Sequence, residues 1–320
     1  MPSKTEEYLA LAQRTANGLT RYWEHWTDYL TTASRLYKYS FADQLMIYAQ
    51  RPDATACASF DIWNNRMNRY VRRGSKGIAL LDQSSSVPRL HYVFDVSDTG
   101  VRRNSRDPEV WQLNDDLFQP VSEMLAREYG IHHERLSQQI ADIAGKLAES
   151  YWDNNSSDIL GIVDGSFLEG YDEFTVGVKF RNAAVVSLTH SLLTRCGFEP
   201  DNYLTPENFE DVFEWNTPEA ASALGMAVSS INQTVLREIE RSIRSYERSL
   251  HNDRNNLQNS ERRANPEPEP ARDGANRPVR EDAPALSQGA PSGAVEPAHS
   301  DGDAVRAPAR DRDSGAEPVS

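Results

Sequence analysis

The sequence predicts an α+β chain: a small antiparallel sheet with helices at the front, a mainly helical region behind it, and a disordered tail. Three observations carry this expectation. Apolar residues recur at spacings of three and four over long stretches beyond residue 116, which is the signature of amphipathic helices. Short extended runs punctuated by Gly74 and Gly77 follow a helix-rich start, an order that favours segregated helices and sheet over alternating βαβ units. The last 60 residues hold nine of the seventeen prolines, no aromatic residue, no isoleucine and a single leucine, Leu286. Ordering such a segment costs about 1–2 kcal/mol per residue in backbone entropy, with almost no apolar surface to offset it.

In chain order, residues 4–33 are expected to form one helix rich in Tyr and Trp. Ser40 begins the next helix, with Asp43 completing an S-x-x-D capping pattern. Arg51-Pro52 ends it, because the residue before a proline avoids the helical region. Ser59 is placed to cap a short third helix through Phe60, Ile62, Trp63 and Met67. Extended runs are expected at 69–71, 78–81 and 91–96, the first two joined by the turn Arg73-Gly74-Ser75-Lys76-Gly77. Further on, Leu136, Ile140, Ile143, Leu147 and Tyr151 share one helical face.

Thr217-Pro218-Glu219 then combines an N-cap, a proline at the first helical position and an acid against the dipole. Behind it Leu224, Val228, Ile231, Val235, Ile239, Ile243, Tyr246 and Leu250 make the stripe of one long helix, expected to pack on its own domain. No internal repeat is visible. The expected domains are residues 1–115, an acidic helical region at 116–255, and a Pro/Ala/charged linker or tail at 256–320.

The chain carries 34 Lys and Arg against 48 Asp and Glu, a net charge of −14. That average hides a contrast: residues 83–220 hold 24 acidic and 10 basic side chains, whereas residues 35–82 hold 4 and 8. Any polyanion site is therefore expected in 35–82. No apolar run approaches the roughly 18 residues that span a bilayer, and no cationic start precedes an apolar segment. A cytoplasmic protein without membrane contact is expected. The two cysteines, Cys57 and Cys196, are too far apart for a C-x-x-C site and read as small buried hydrophobes.

Signals for enzymatic chemistry are absent. Gly74-Ser75-Lys76-Gly77 lacks both the earlier glycine and the following hydroxyl of a phosphate-binding P-loop. His132, His133 and Glu134 are adjacent, so they do not place two imidazoles on one helix face and read as a charged helix boundary. The acidic pairs Asp115-Asp116, Asp172-Glu173 and Glu210-Asp211 read as solvated faces or dipole partners. No catalytic residue, metal or cofactor is expected.

The informative stretch gathers Arg66, Arg69, Arg72, Arg73 and Lys76 within eleven residues and without one carboxylate. Tyr37, Tyr39, Phe41, Tyr48, Phe60, Trp63 and Tyr70 are interleaved around them. Clustered cations attract phosphates, and exposed aromatic faces stack on unpaired bases. Phe41, Trp63 and Tyr48 read as core, while Tyr37, Tyr39 and Tyr70 are the candidates for stacking. Gly74 and Gly77 let the turn present backbone N–H groups to an anion.

Four blocks carry a family resemblance. They are the run 39–52 (YSFADQLMIYAQRP), the run 59–63 (SFDIW), the run 70–78 (YVRRGSKGI), and Val93-Phe94-Asp95-Val96-Ser97 followed by Thr99. In this order they resemble the N-terminal domain of ArdC-type antirestriction proteins over about the first 115 residues. The resemblance implies an ArdC-like α+β fold that binds single-stranded DNA. The metallopeptidase activity of that family is not carried over, because the chain has no H-E-x-x-H.

The layout is also similar to the front of large helicase and DNA-methylase proteins of bacterial conjugative elements. It leads us to expect a single-stranded-DNA-binding module of a mobile-element protein, with helicase or methylase domains of a longer polypeptide as partners. The alternative from a different class is a protein-interaction module or antirestriction decoy that binds no DNA.

Overall fold

The computed structural model describes residues 3–82 and 88–264. Ser3 opens the first helix, α1 (Lys4–Leu19), through a capping box with Glu6. The helix expected over 4–33 is in fact two, α1 and α2 (Trp23–Arg35). The break follows Gly18, a weak helix former, and at it Thr20, fully buried, donates its hydroxyl to the carbonyl of Trp215 at 2.9 Å. Helix α3 (Phe41–Gln50) begins at Ser40, whose Oγ accepts from the Asp43 N–H, and ends before Pro52 as expected.

The strands are β1 (Cys57–Ser59), β2 (Arg69–Val71), β3 (Ile78–Asp82), β4 (Arg89–Asp95) and β5 (Thr99–Val101). They form two antiparallel sheets, one in the order β1-β4-β3 and a ribbon of β2 with β5. The class is α+β, with small sheets of two and three strands. Two details differ from the sequence reading. The Gly-containing turn does not close a hairpin, since β2 pairs with β5 and β3 with β4. β1 also occupies the approach to the third helix, which is a π-helical turn over Ile62–Arg66. Ser59 still caps it weakly, accepting from Ile62 N–H at 3.4 Å.

Asp95 pins these strands together. Its buried carboxylate accepts from the N–H groups of Thr55 (2.7 Å), Ala56 (3.0 Å) and Ser97 (2.9 Å) and from the Ser97 hydroxyl (2.6 Å). Burial pushes this carboxyl up, but the hydrogen bonds prevail and hold it below its ordinary value.

The helical part comprises α4 (Asp115–Tyr129), α5 (Leu136–Leu160), α6 (Glu173–Arg195) and α7 (Pro218–Ala264). Beyond its exposed first turn, α6 carries small and apolar residues around much of its circumference, and Val176, Phe180, Ala184, Leu188 and Leu192 are all fully enclosed. The buried hydroxyl of Ser187 on this helix accepts from Trp26 Nε1 at 2.8 Å, tying α2 to α6. Thr217 caps α7 by accepting from Ala220 N–H at 3.1 Å. The stripe from Leu224 to Ile243 is buried as expected, whereas Leu250 is exposed.

One apolar core runs from Ala16 through Trp111 to Ile243. The expected boundary at 115 therefore does not separate two cores, and the described residues on both sides of it belong to one compact unit. A smaller cluster of Leu36, Met46, Ile47, Ala54, Ile78, Leu80 and Val93 seats the three-stranded sheet on α3. Helix α7 continues through Ala264, beyond the limit of 255 expected for the helical region. The rest of the expected disordered tail, 265–320, lies outside the described residues. No helix among the described residues is long and apolar enough to cross a membrane.

Candidate nucleic-acid interface

The β2–β5 ribbon brings the informative residues together. Tyr70 lies directly opposite Gly100, with Arg69 opposite Val101 and Val71 opposite Thr99. Side chains alternate along a strand, so Tyr70 faces outward while Arg69 and Thr99 face inward. The Tyr70 ring lies over Gly100 so closely that a Cβ there would come within 2.3 Å of the ring. Glycine at 100 is thus what lets the ring lie flat on the ribbon. Its exposure is 43 %, and the Arg102 guanidinium sits 5.7 Å from the ring centroid.

The five expected cations separate into two roles. Arg66, Arg72, Arg73 and Lys76 are exposed. Arg72 Nη1 donates to the Ser97 carbonyl at 2.7 Å, which holds its stem along the ribbon. Arg69 is a correction: it is buried, donates from Nε to Thr99 Oγ1 at 2.8 Å and pairs with Asp107. An arginine spent in this way braces the inner side of the ribbon and offers nothing to a phosphate.

Two of the three tyrosines also need correction. Tyr37 is buried, donates to Glu240 Oε2 at 2.6 Å and accepts from Trp111 Nε1 at 3.0 Å. Burial, reinforced by Glu240, pushes its hydroxyl pKa up. Tyr39 is half-buried against the smaller core and donates to the Cys57 carbonyl at 2.8 Å. Neither ring presents the face that base stacking needs. Phe41 and Trp63 are core as expected, Trp63 donating to the Phe94 carbonyl at 2.8 Å.

Sequence reasoning missed Tyr92, Arg102, Arg103 and Arg106. Tyr92 is 40 % exposed and stands beside the 72–77 turn, its Cβ within 3.2 Å of where a Cβ on Gly77 would be. Arg102, Arg103 and Arg106 are exposed at the end of β5. Counting them, residues 61–106 carry nine basic and four acidic side chains. Asp95 is buried in its own hydrogen bonds and Asp98 is paired with Arg51 at 2.5 Å, so two of the four acids are internally committed, as is Arg69 among the nine cations. The excess of positive charge is therefore concentrated on the ribbon and its turns.

Elsewhere the acids fall where expected. Asp115 and Asp116 start α4, and Asp172 caps α6 through Thr175 N–H at 2.8 Å. Asp211 instead takes part in an ion pair with Lys179 at 2.8 Å. His132 and His133 lie between α4 and α5, with His133 Nε2 2.6 Å from Asp142 Oδ2. Cys196 is buried and Cys57 half-buried, and burial pushes both thiols up to about 12, far from a reactive thiolate. Comparison of the chain with protein-family models, curated proteins and solved structures found no match.

Proposed function

We propose that the outer face of the β2–β5 ribbon binds single-stranded DNA, and that the chain serves as such a module in a mobile-element protein. The observation that carries this reading is the combination on one face of the exposed Tyr70 ring with Arg72 and Arg102 on either side of it. A single strand offers the two things this face complements, a line of phosphates and an unpaired base. Duplex DNA hides its base faces, so an aromatic platform favours the single strand. The resemblance of the first 115 residues to ArdC-type domains supports the same reading, and so does the retreat of the acidic surplus to residues outside the ribbon.

The test is fluorescence anisotropy with a 12-nucleotide oligothymidylate and with a duplex of equal length, between 50 and 200 mM salt. Tighter binding of the single strand, weakening steeply with salt, is expected. Equal binding of the two, or none of either, would end the reading and favour a protein-interaction module.

A further inference from the structure

The turn that follows β2 has a twin. Residues 71–76 read Val-Arg-Arg-Gly-Ser-Lys and residues 101–106 read Val-Arg-Arg-Asn-Ser-Arg, thirty positions later. This short repeat corrects the expectation of no internal repeat, and the backbone repeats with it. Gly74 and Asn104 both have positive φ, 90° and 67°. Ser75 N–H donates to the Arg72 carbonyl at 3.1 Å and Ser105 N–H to the Arg102 carbonyl at 3.0 Å, closing the same four-residue turn. Even the cross-strand contacts repeat: Ser75 Oγ donates to Asp98 O at 3.4 Å, and Ser105 Oγ to Asn68 O at 2.6 Å. The register of the ribbon places the centre of this local two-fold at the Tyr70–Gly100 pair.

Because β2 and β5 are antiparallel, the twin turns leave from opposite ends of the ribbon. Each carries three cations. Arg72 and Arg102 are tethered to backbone carbonyls. The side chains of Arg73, Lys76, Arg103 and Arg106 are exposed and make no ion pair or side-chain hydrogen bond among the described residues. Arg73 and Arg103 each lie two positions beyond the paired residues, six positions apart along the register, so full extension would set an upper limit of roughly 20 Å between them. Even at the compact spacing of a fully stacked strand, about 3.4 Å, about six nucleotides are enough to reach both turns.

We infer that the two turns are matched phosphate-binding ends of a single site, which one strand of about six nucleotides or more engages simultaneously across Tyr70. This rests on the DNA-binding reading above and adds the second turn, the length of strand and the two-point attachment. Joining two weak contacts through one strand makes the second intramolecular, with a gain of about 10²–10⁴ when the strand spans both.

The test uses oligothymidylates of 4 and 12 nucleotides against the full chain and two double variants, Arg73→Ala with Lys76→Ala and Arg103→Ala with Arg106→Ala. In the wild type the longer strand should bind at least a hundredfold more tightly. Either double variant should lose at least tenfold of that length advantage, and each should flatten the slope of log affinity against log salt by about 1.4. Unchanged thermal melting checks that the variants are folded. As a readout free of mutation, the amide resonances of Ser75 and Ser105 should both shift when the 12-nucleotide strand is added, and only partly with the 4-nucleotide strand.

If only the Arg73/Lys76 variant is impaired and only Ser75 shifts, the two-ended site is wrong while the DNA-binding reading stands. If the wild type binds strands but neither variant is impaired, DNA sits elsewhere and both site assignments fail. If the wild type binds neither oligonucleotide, the DNA-binding reading fails and takes this inference with it.

Discussion

The ring of Phe41 occupies the space that a side chain on Gly225 would need: a Cβ at 225 would stand 2.1 Å from Phe41 Cε2. Helix α7 reaches the front of the molecule by this contact, because the missing side chain lets the aromatic ring press against the helix backbone. An interior glycine ordinarily weakens a helix by about 1 kcal/mol relative to alanine, so this position gives up helix propensity for the contact.

Glycine-to-alanine changes should therefore split by sign. Gly225→Ala should destabilise by about 1–3 kcal/mol through overpacking. Gly145→Ala, in α5 with nothing within 4 Å of the added methyl, should stabilise by about 0.5–1 kcal/mol. Urea unfolding of the two variants measures both, and a gain in stability for Gly225→Ala would show that α7 does not sit on Phe41.

Tyr37 should behave as a structural residue. Tyr37→Phe removes the donor to Glu240 and the acceptor for Trp111, which should lower stability by about 1–3 kcal/mol. Oligonucleotide affinity should be unchanged. A folded variant with impaired DNA binding would return Tyr37 to the interface.

Tyr70 should show the opposite pattern. Tyr70→Ala should weaken single-strand binding by about 1–3 kcal/mol while leaving the salt slope unaltered, since stacking releases no counterion. Tyr70→Phe keeps the ring and should bind nearly as the wild type does. Anisotropy titrations at several salt concentrations separate the two contributions.

Stability should decline in two steps as pH falls. Burial of His190, only partly opposed by Asp201, pulls its pKa from 6.5 down to about 4. Between those values the unfolded chain binds a proton that the folded chain does not, so stability drops from about pH 6.5 to about pH 4, by something of the order of 3 kcal/mol. His190→Gln should flatten this first step. The second step begins where the carboxylates of the unfolded chain take up protons. Both Asp95 and Glu240 lie below their ordinary 3.8 and 4.5, burial being outweighed in each by hydrogen bonds. Their stabilisation is present above those values and is lost as pH falls through the depressed folded ones. Denaturant midpoints at intervals between pH 7 and 3 would resolve the two.

What could be read from the sequence was local. Ser40 with Asp43, Pro52, and Thr217-Pro218 place helix ends because their chemistry acts within one turn. The spacing from Leu224 to Ile243 likewise exposes its buried face without knowledge of what covers it. The misses all have distant partners. Tyr37 looks available until Glu240, 203 positions away, is seen to hold it. Arg69 looks free until Thr99 and Asp107 come alongside. The 70–78 run suggested a hairpin because β5, the true partner of β2, follows only after β3 and β4. Arg102 and Arg103 were hidden by position: they sit in a stretch whose average charge is strongly negative, and only strand pairing returns them to the basic cluster.

The bond between Tyr37 and Glu240 also sets a timetable. A ribosome adding about 5–20 residues per second needs roughly 10–40 s to travel the 203 positions between them. Trp26 waits almost as long for Ser187, 161 positions on. Throughout that interval the growing chain carries Trp26 and Tyr37 without the partners that bury them, and exposed apolar surface of this kind leaves nascent proteins open to aggregation. Because the core closes last around segments made first, the ribbon on the surface can form from residues 69–101 well before the body that supports it has been synthesised.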